Sequence, residues 1–284
     1  MKRRTFLNII PVVLAGVATE CSKGVVKGSR IKFPARGISA HRGACDTCPE
    51  NTLAAFREAI NVGAHIIEID VQFTKDRELV IIHDNTVNRT TNGDGKVSGY
   101  TLAEIKRLDA GNWKSSEFKG EQVPTLKETL NIMPENTWLL FDIKGGKELA
   151  ERVLEMIGEE NRLNQSIFLN SGPVLKSLRT INPNILINIA GPRGDMWKYV
   201  NMATELKADL ANVTGTDTTE FLEQMKKLHK NGIRLQNSVV NSPEELRKLF
   251  AAGIDFSLTN ELHMMMKIVE EFGIKPLKPK FRSK

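Results

Sequence analysis

The stretch HIIEIDVQFTKDRELVIIH, residues 65–83, contains two apolar runs that are separated by only a few residues. Both runs are rich in isoleucine, leucine and valine, which favour β-strands, and TKDR at residues 74–77 is typical of a turn. A crossover between parallel strands takes about a dozen residues or more, so the link is too short for one. The two runs are therefore predicted to form an antiparallel hairpin, with His83 roughly opposite Glu68.

Apolar runs and helical patterns alternate along the rest of the chain. Nine segments are candidates for β-strands, at Ile38–His41, His65–Val71, Glu78–His83, Thr137–Asp142, Ser166–Leu169, Ile185–Ile189, Asp209–Val213, Gly232–Gln236 and Ile254–Leu258. Helical patterns separate most of them, at Asn51–Val62, Lys147–Glu159, Pro173–Thr180, Met196–Leu206, Thr218–Lys230 and Ser242–Ala252. Strands that alternate with helices predict a parallel sheet. Once the hairpin strand is set aside, eight strands remain. They predict an α/β fold, a TIM-type (β/α)8 barrel with its functional site at the C-terminal ends of the strands.

The composition and charge are those of an ordinary globular protein. Of the 284 residues, 40% are hydrophobic and 26% are charged, and this length suits one large α/β domain. We expect that domain at residues 36–274, between a linker at residues 21–35 and a basic tail at residues 275–284, with a small inserted subdomain at about residues 85–126. The formal net charge is +6, but basic and aromatic residues do not alternate as they do in nucleic-acid-binding proteins. No nucleic-acid partner is therefore expected.

The first 20 residues are predicted to be a signal segment. A basic start, Lys2-Arg3-Arg4, precedes an apolar run from Phe6 to Ala18, and this run ends in small residues that suit a cleavage site. The pair Arg3-Arg4 is also typical of a twin-arginine signal. We expect export to the periplasm or the cell envelope. The exported protein could also be anchored in the membrane through a lipidated Cys21, but Glu20 stands where a small residue is required before the cysteine. The alternative to export is a basic N-terminus without a targeting role.

Acidic, imidazole and guanidinium groups concentrate in the first strand and the hairpin. Glu68 and Asp70 are two residues apart on a predicted strand, so both side chains leave the same face. Hard oxygen ligands suit Ca²⁺ or Mg²⁺. His41 and His83 could act as general acid and general base, and Arg42 could hold a phosphate with two parallel hydrogen bonds. This set of groups suits metal-assisted cleavage of a phosphodiester.

The order and spacing of these groups resemble the glycerophosphodiester phosphodiesterase family. The matching motifs are His41-Arg42-Gly43, Pro49-Glu50-Asn51-Thr52, Glu68-x-Asp70, His83-Asp84, Arg89-Thr90-Thr91-Asn92-Gly93, Leu108-Asp109-Ala110-Gly111 and Val123-Pro124-Thr125-Leu126. The resemblance implies hydrolysis of a small-molecule glycerophosphodiester to sn-glycerol 3-phosphate and an alcohol. It implies that His41 and His83 transfer protons and that Arg42 and Lys144 hold the phosphate.

The resemblance also implies a divalent metal ion, Ca²⁺ or Mg²⁺, bound by three carboxylates. Glu68 and Asp70 would supply two of them. The third ligand of the family is a glutamate in an E-x-K pair, and Asp142 stands at that position here, two residues before Lys144. Glu50 and Asn51 open the first helix. They would contact the substrate or the metal, or orient His41, and the sequence does not decide between these roles.

Several features leave open the substrate, the state of the Cys45 and Cys48 thiols and the oligomeric state. The tryptophan that the family has near its seventh barrel strand is absent, and its closing Thr-Asp-x-Pro motif begins Thr259-Asn260 here. Gln236, Asn237 and Asn260 could contact a hydroxylated headgroup or face water. A phosphodiesterase for another headgroup (phosphoinositol-cleaving or phospholipase D-like) and a non-catalytic phosphodiester-binding protein are alternatives. Cys45 and Cys48 could form a small disulfide or remain a free pair. The oligomeric state is open.

Overall fold

The computed structural model describes residues 31–191, 194–214 and 218–282. The predicted signal segment and Cys21 lie outside the described residues. Among the helices that are described, none is both long and apolar enough to cross a membrane.

The described strands form a barrel of eight parallel strands with one further strand attached. The strands are β1 Gly37–Ala40, β2 Ile66–Phe73, β3 Leu79–Ile81, β4 Trp138–Ile143, β5 Ser166–Asn170, β6 Leu186–Ile189, β7 Leu210–Val213, β8 Arg234–Asn237 and β9 Phe256–Thr259. Strand β1 pairs in parallel with both β2 and β9, which closes the ring. The predicted TIM-type (β/α)8 barrel is confirmed.

Strand β3 pairs with β2 in an antiparallel hairpin, as the short link predicted, but the register differs by one residue. Phe73 lies opposite Leu79, and the backbone N–H of Thr74 donates to the Glu78 carbonyl at 3.0 Å. This pairing centres the turn on Asp76, so continued pairing would bring His83 opposite Ile69 instead of Glu68. Strand β3 ends at Ile81, so His83 lies in the loop that follows. The alternation of side chains along a strand therefore does not fix the direction of the His83 side chain.

Nine helices are described, and the six that were predicted lie close to their predicted positions. They are α1 Leu53–Val62, α2 Leu102–Ile105, α3 Leu126–Ile132, α4 Lys147–Glu159, α5 Gly172–Ile181, α6 Met196–Glu205, α7 Thr219–Lys230, α8 Pro243–Ala252 and α9 Leu262–Ile268. Helix α1 shows why the boundaries could be predicted. The Thr52 side chain accepts a hydrogen bond from the Ala55 N–H at its start, and Gly63 ends it with a positive φ of 84°.

The alternation of side chains along the strands divides the core into an outer and an inner part. Along β2, Ile67, Ile69 and Val71 belong to the main cluster that packs against the helices. Ile66 belongs to the cluster inside the barrel, together with Trp138, Leu140, Ile167, Leu169, Leu186, Leu210 and Phe256. Because the period of a strand is two residues, Glu68 and Asp70 follow Ile66 on the inner face. The carboxylates therefore lie inside the barrel near the C-terminal ends of its strands.

The segment between β3 and α3 forms a small subdomain beside the hairpin. Its own apolar cluster consists of Val80, Ile82, Val87, Val97, Ile105, Ala110 and Val123. The short helix α2 in this segment begins with a capping box, in which Thr101 and Glu104 each bond the backbone of the other. At the other end of the chain, the tail contacts the barrel. Leu277 N donates to the Gly63 carbonyl at 2.9 Å, and Glu135 N donates to the Lys280 carbonyl at 2.7 Å.

Candidate active site

Three carboxylates meet at the C-terminal ends of β2 and β4. Oxygen atoms of Glu68, Asp70 and Asp142 all lie within 4.8 Å of one another. The strand register explains this, because Asp70 is paired with Asp142 and paired residues of parallel strands project from the same face. Glu68 and Asp70 are buried, and Asp142 is half-buried.

Burial and mutual repulsion perturb this cluster. Burial, followed by the charges of Asp70 and Asp142, raises the pKa of Glu68 well above its usual value. Burial also raises the pKa of Asp142, although Lys144 opposes it. Burial acts in the same direction on Asp70, but Lys144, a hydrogen bond from Asn51 and Arg42 outweigh it and lower its pKa. The charged forms of Glu68 and Asp142 are thus disfavoured, and the charged form of Asp70 is favoured.

The cations beside the cluster contact it directly. Lys144 Nζ lies 2.9 Å from Asp70 Oδ1 and 2.5 Å from Asp142 Oδ2. Arg42 Nε lies 3.3 Å from Asp70 Oδ2, and the backbone N–H of Arg42 donates to Glu68 Oε2 at 2.8 Å. Asp70 Oδ1 is buried and lies in ionic contact with Lys144. It accepts no hydrogen bond of good geometry from the described residues. An oxygen of this kind is suited to a metal ion.

The loop between β1 and α1 has a strained backbone at two of the predicted site residues. Arg42 has a φ of 58° and Asn51 a φ of 56°, in the left-handed region that non-glycine residues rarely adopt. Asn51 N donates to the Arg42 carbonyl at 2.9 Å, and Asn51 Nδ2 donates to Asp70 Oδ2 at 2.7 Å. These bonds hold the loop against the strain, so Asn51 fixes both the Arg42 backbone and the Asp70 carboxylate.

His41 is oriented by a residue from the far end of the barrel sequence. Its Nδ1 atom lies 2.6 Å from Asn260 Oδ1, an amide oxygen that can only accept, so Nδ1 carries the proton and Nε2 a lone pair. Burial, with the charge of Arg42, lowers the pKa of His41 to about 4. The imidazole is therefore neutral at neutral pH. Sequence reasoning did not connect Asn260 with His41, although both directly follow the paired residues Ala40 and Thr259 of β1 and β9.

His83 is oriented by its neighbour in the sequence. Its Nδ1 atom lies 2.7 Å from Asp84 Oδ1, and hydrogen bonds from Arg89 hold the pKa of Asp84 below its usual range. The backbone N–H of Ile82 donates to the Asp70 carbonyl at 3.1 Å, and Gln72 Nε2 donates to the His83 carbonyl at 2.9 Å. The hairpin therefore places the loop that carries His83 beside the strand that carries Asp70, in spite of the register difference.

Glu50 contacts two arginines. Its Oε1 atom accepts from Arg42 Nη1 at 2.7 Å, and both of its oxygens accept from Arg89 at 2.8 Å. All nine predicted site residues thus lie in one group around the carboxylates: His41, Arg42, Glu50, Asn51, Glu68, Asp70, His83, Asp142 and Lys144. Their catalytic and binding roles stay predictions. Arg89 belongs to the same group and had no predicted role, and Asn260, which was predicted to contact a headgroup or face water, bonds His41 instead.

Three further polar residues differ from expectation or settle an open choice. Gln236 is fully buried inside the barrel, so it faces neither a headgroup nor water. Its Oε1 atom accepts from Asn188 and its Nε2 atom donates to Ser39. Cys45 and Cys48 are free thiols in the described part of the chain, and burial raises the pKa of Cys45 to about 12.

A cavity of about 710 Å³ opens beside Asp142 and Lys144. Asn170, Asp195 and Lys198 contribute other polar groups to its wall. Asp195 also caps the start of α6 by accepting from two backbone N–H groups. A cavity of this size can hold a small molecule, and its position next to the carboxylate cluster gives the site room for more than a phosphate.

Comparison with known proteins places the chain in a family. The profile of the Glycerophosphoryl diester phosphodiesterase family matches residues 41–264. A glycerophosphodiester phosphodiesterase from Caldanaerobacter subterraneus is 35% identical over 243 residues, which cover 83% of this chain and 98% of that protein. The crystal structure of a glycerophosphodiester phosphodiesterase from Agrobacterium tumefaciens is 26% identical, with a TM-score of 0.70, and the match covers 81% of this chain and 99% of the other. An Oleispira antarctica phosphodiesterase in complex with the product sn-glycerol-3-phosphate is 26% identical, with a TM-score of 0.72, and the match covers 84% of this chain and 97% of the other.

Proposed function

Because this chain belongs to the glycerophosphoryl diester phosphodiesterase family, we propose that it hydrolyses glycerophosphodiesters to sn-glycerol 3-phosphate and an alcohol. The observation that carries the proposal is the cluster of Glu68, Asp70 and the half-buried Asp142, together with the neutral His41 that Asn260 orients. The sn-glycerol-3-phosphate bound to the similar Oleispira antarctica phosphodiesterase supports glycerol phosphate as one half of the substrate.

The donor set fits a hard divalent cation such as Ca²⁺ or Mg²⁺. Glu68, Asp70 and Asp142 would hold it, since all three offer carboxylate oxygens and Asp70 Oδ1 is buried without a well-formed hydrogen bond from the described residues. Such an ion, when bound, offsets the charge of the phosphodiester and stabilises the charge that develops in the transition state. The shorter Asp142 in place of the glutamate of the family still brings an oxygen into the group.

The side chains around the cluster suit binding of a phosphate and transfer of two protons. Arg42 and Lys144 are the cations that would hold phosphate oxygens. His41, which is neutral and bears its lone pair on Nε2, would accept a proton from the attacking water as the water oxygen bonds to phosphorus and the bond to the alcohol breaks. His83, aligned by Asp84, would give a proton to the oxygen of the leaving alcohol. The cavity beside Asp142 and Lys144 would take the part of the substrate that extends beyond the phosphate.

A panel of substrates tests this function. Purified protein is incubated with glycerophosphodiesters of choline, ethanolamine, inositol and glycerol, and release of glycerol 3-phosphate is measured with and without a chelator. We expect release that chelation abolishes and that added Ca²⁺ or Mg²⁺ restores. Full activity in metal-stripped protein would contradict the role of the metal. Release of glycerol and the phosphorylated alcohol instead would show cleavage of the other P–O bond and contradict the proposed products. Turnover of the inositol substrate alone would favour another headgroup specificity, and binding without any release would favour the non-catalytic alternative.

Export to the periplasm or cell envelope is a second part of the proposal, and it depends only on the sequence of residues 1–20. Fractionation of cells that make the full chain tests it. A mature protein that begins near residue 20 in the exported fraction is expected. Retention of the protein in the membrane that is lost in Cys21→Ala would support the lipidated form, whereas an unprocessed protein inside the cell would contradict export.

A further inference from the structure

Arg89, in the inserted subdomain, donates hydrogen bonds to two carboxylates that belong to different loops. Its Nη1 and Nη2 atoms lie 2.8 Å from the two oxygens of Glu50, in the loop between β1 and α1. Its Nε atom lies 2.8 Å from Asp84 Oδ2, and Nη2 lies 3.0 Å from Asp84 Oδ1, in the loop after β3. A planar guanidinium with five N–H groups can bind two carboxylates in this way, whereas an ammonium cannot.

Both carboxylates have a second partner in the candidate active site. Asp84 Oδ1 lies 2.7 Å from Nδ1 of His83. Glu50 Oε1, which accepts from Arg89, also accepts from Arg42 Nη1 at 2.7 Å. The chain of contacts therefore runs from a histidine that would transfer a proton, through Arg89, to an arginine that would hold the phosphate.

Fold stability alone is a poor explanation for this arrangement. The Arg89 side chain is 43% exposed, and exposed ion pairs contribute about 0–1 kcal/mol each. Arg42, by contrast, has a φ of 58° and depends on its contacts to keep that conformation. The planar guanidinium of Arg89, bonded to both loops, would fix the distance between them. A reaction between a bound phosphate and an imidazole requires such a fixed distance.

We propose that Arg89 is a positioning residue, which sets His83 through Asp84 and Arg42 through Glu50 in their places around the carboxylate cluster. Arg89 does not touch the substrate in this role. The subdomain that carries it thereby takes part in the reaction by holding two barrel loops at a fixed distance. The kinetic test of this proposal rests on the proposed function, and a spectroscopic test does not.

The kinetic test compares Arg89 variants with the parent protein. Arg89→Gln is expected to lower kcat by about 100-fold, the size of effect that a displacement of about 1 Å produces. Arg89→Lys should have a kcat nearly as low, because lysine keeps the positive charge but lacks the planar guanidinium that binds two carboxylates. Methylguanidinium added to Arg89→Ala should restore part of the rate. Arg107→Gln, at an exposed arginine of the same subdomain, is the matched control and should keep the parent rate.

A double variant separates positioning from a general loss of structure. If Arg89 acts in part through Asp84, the loss of kcat in Arg89→Gln combined with Asp84→Asn should be smaller than the product of the two single losses. Multiplication of the two effects would contradict the coupling. A folded Arg89→Gln protein with the parent kcat, or Arg89→Lys with the parent kcat, would overturn the proposal.

The spectroscopic test follows the His83 imidazole by nitrogen-15 NMR, in a chain with only five histidines. The His83 resonances, assigned by their loss in His83→Gln, should show the Nδ1 hydrogen bond to Asp84 in the parent and its loss in Arg89→Gln. Arg89→Lys serves if Arg89→Gln does not fold. Unchanged His83 resonances in Arg89→Gln would overturn the positioning proposal, whether or not the protein hydrolyses a phosphodiester. If the resonances change as expected but the parent protein hydrolyses no phosphodiester, only the proposed function is contradicted.

Discussion

The inside of the barrel has two buried polar groups of opposite character. At the ends of β2 and β4, the carboxylates of Glu68, Asp70 and Asp142 crowd together. Across the barrel, Gln236 accepts a hydrogen bond from Asn188 at 2.6 Å and donates one to Ser39 at 2.8 Å. The neutral amides and hydroxyl bond to one another, with Asn188 Oδ1 left without a hydrogen bond from the described residues, whereas the carboxylates repel one another in spite of the contacts with Lys144 and Arg42. We infer that the first group serves function at some expense of stability and that the second serves stability.

The largest effect is expected for Glu68, whose pKa is raised by burial and by the neighbouring carboxylates. Glu68→Gln should abolish most activity, by about 10³-fold or more, if the residue holds the metal. The same change removes an unfavourable buried charge, so the metal-free variant should melt at a temperature at least as high as the parent. Activity assays and calorimetry on metal-stripped protein check both parts. If Glu68→Gln keeps the parent activity, or if it is inactive and melts at a lower temperature than the parent, the carboxylate group does not serve function at the expense of stability.

The next effect compares the half-buried His41 with the buried His65. His41→Ala should lower kcat by about 10²–10⁴-fold with little loss of stability, as expected for a proton-transfer residue. At His65, Ile38 N donates to the Nδ1 atom, and the Nε2 atom lies 3.1 Å from the Lys275 carbonyl. His65→Ala should therefore lower the melting temperature and keep kcat. Equal losses of kcat in the two folded variants would contradict the assignment of His41.

A smaller effect is expected at Asp142, the half-buried member of the cluster. Asp142→Asn should weaken metal affinity by about 10–100-fold if a water separates Asp142 from the ion, and more if it binds the ion directly. Asp142→Glu restores the residue of the family and should keep or improve affinity. Titration of metal-stripped protein with Ca²⁺ and Mg²⁺ measures both variants. A folded but inactive Asp142→Glu protein would show that the site is built around the shorter side chain.

A shift of the pH profile is expected from Asn260. The pKa of His41 is about 4, so the base is lost, and the rate falls, only as the pH approaches about 4 from above. Asn260→Asp places a negative charge beside Nδ1, which stabilises the imidazolium and raises this pKa. The acidic limb of the pH–rate profile should then move to higher pH. If this limb stays in place, the acidic limb belongs to a group other than His41.

The smallest effect on activity is expected in the neutral group. Gln236→Leu leaves Ser39 and Asn188 without their amide partner and should lower the free energy of unfolding by about 1–3 kcal/mol. The rate per folded molecule should stay that of the parent. Denaturation by urea and a rate assay at matched folded concentration check this. A selective change between headgroups would show that Gln236 acts on the substrate after all.

The elements and the carboxylate pair could be predicted because local patterns encode them. Alternation placed Glu68 and Asp70 on one face, the short link predicted the hairpin, and cap residues such as Thr52 marked the helix boundaries. The hairpin register differs from the predicted one by one residue, because the backbone N–H of Thr74 donates to the Glu78 carbonyl and centres the turn on Asp76.

The sequence by itself determined the fold class, the family and the group of residues around the carboxylates, since the order of motifs and the alternation of side chains are local properties. Only the tertiary structure decided which partner orients each of them. His41 bonds Asn260 across 219 positions because β1 and β9 close the barrel, and Arg89 reaches Glu50 across 39 positions because the subdomain folds onto the first loop. Such contacts depend on how all the strands stagger and pack when the ring closes, which no local pattern specifies.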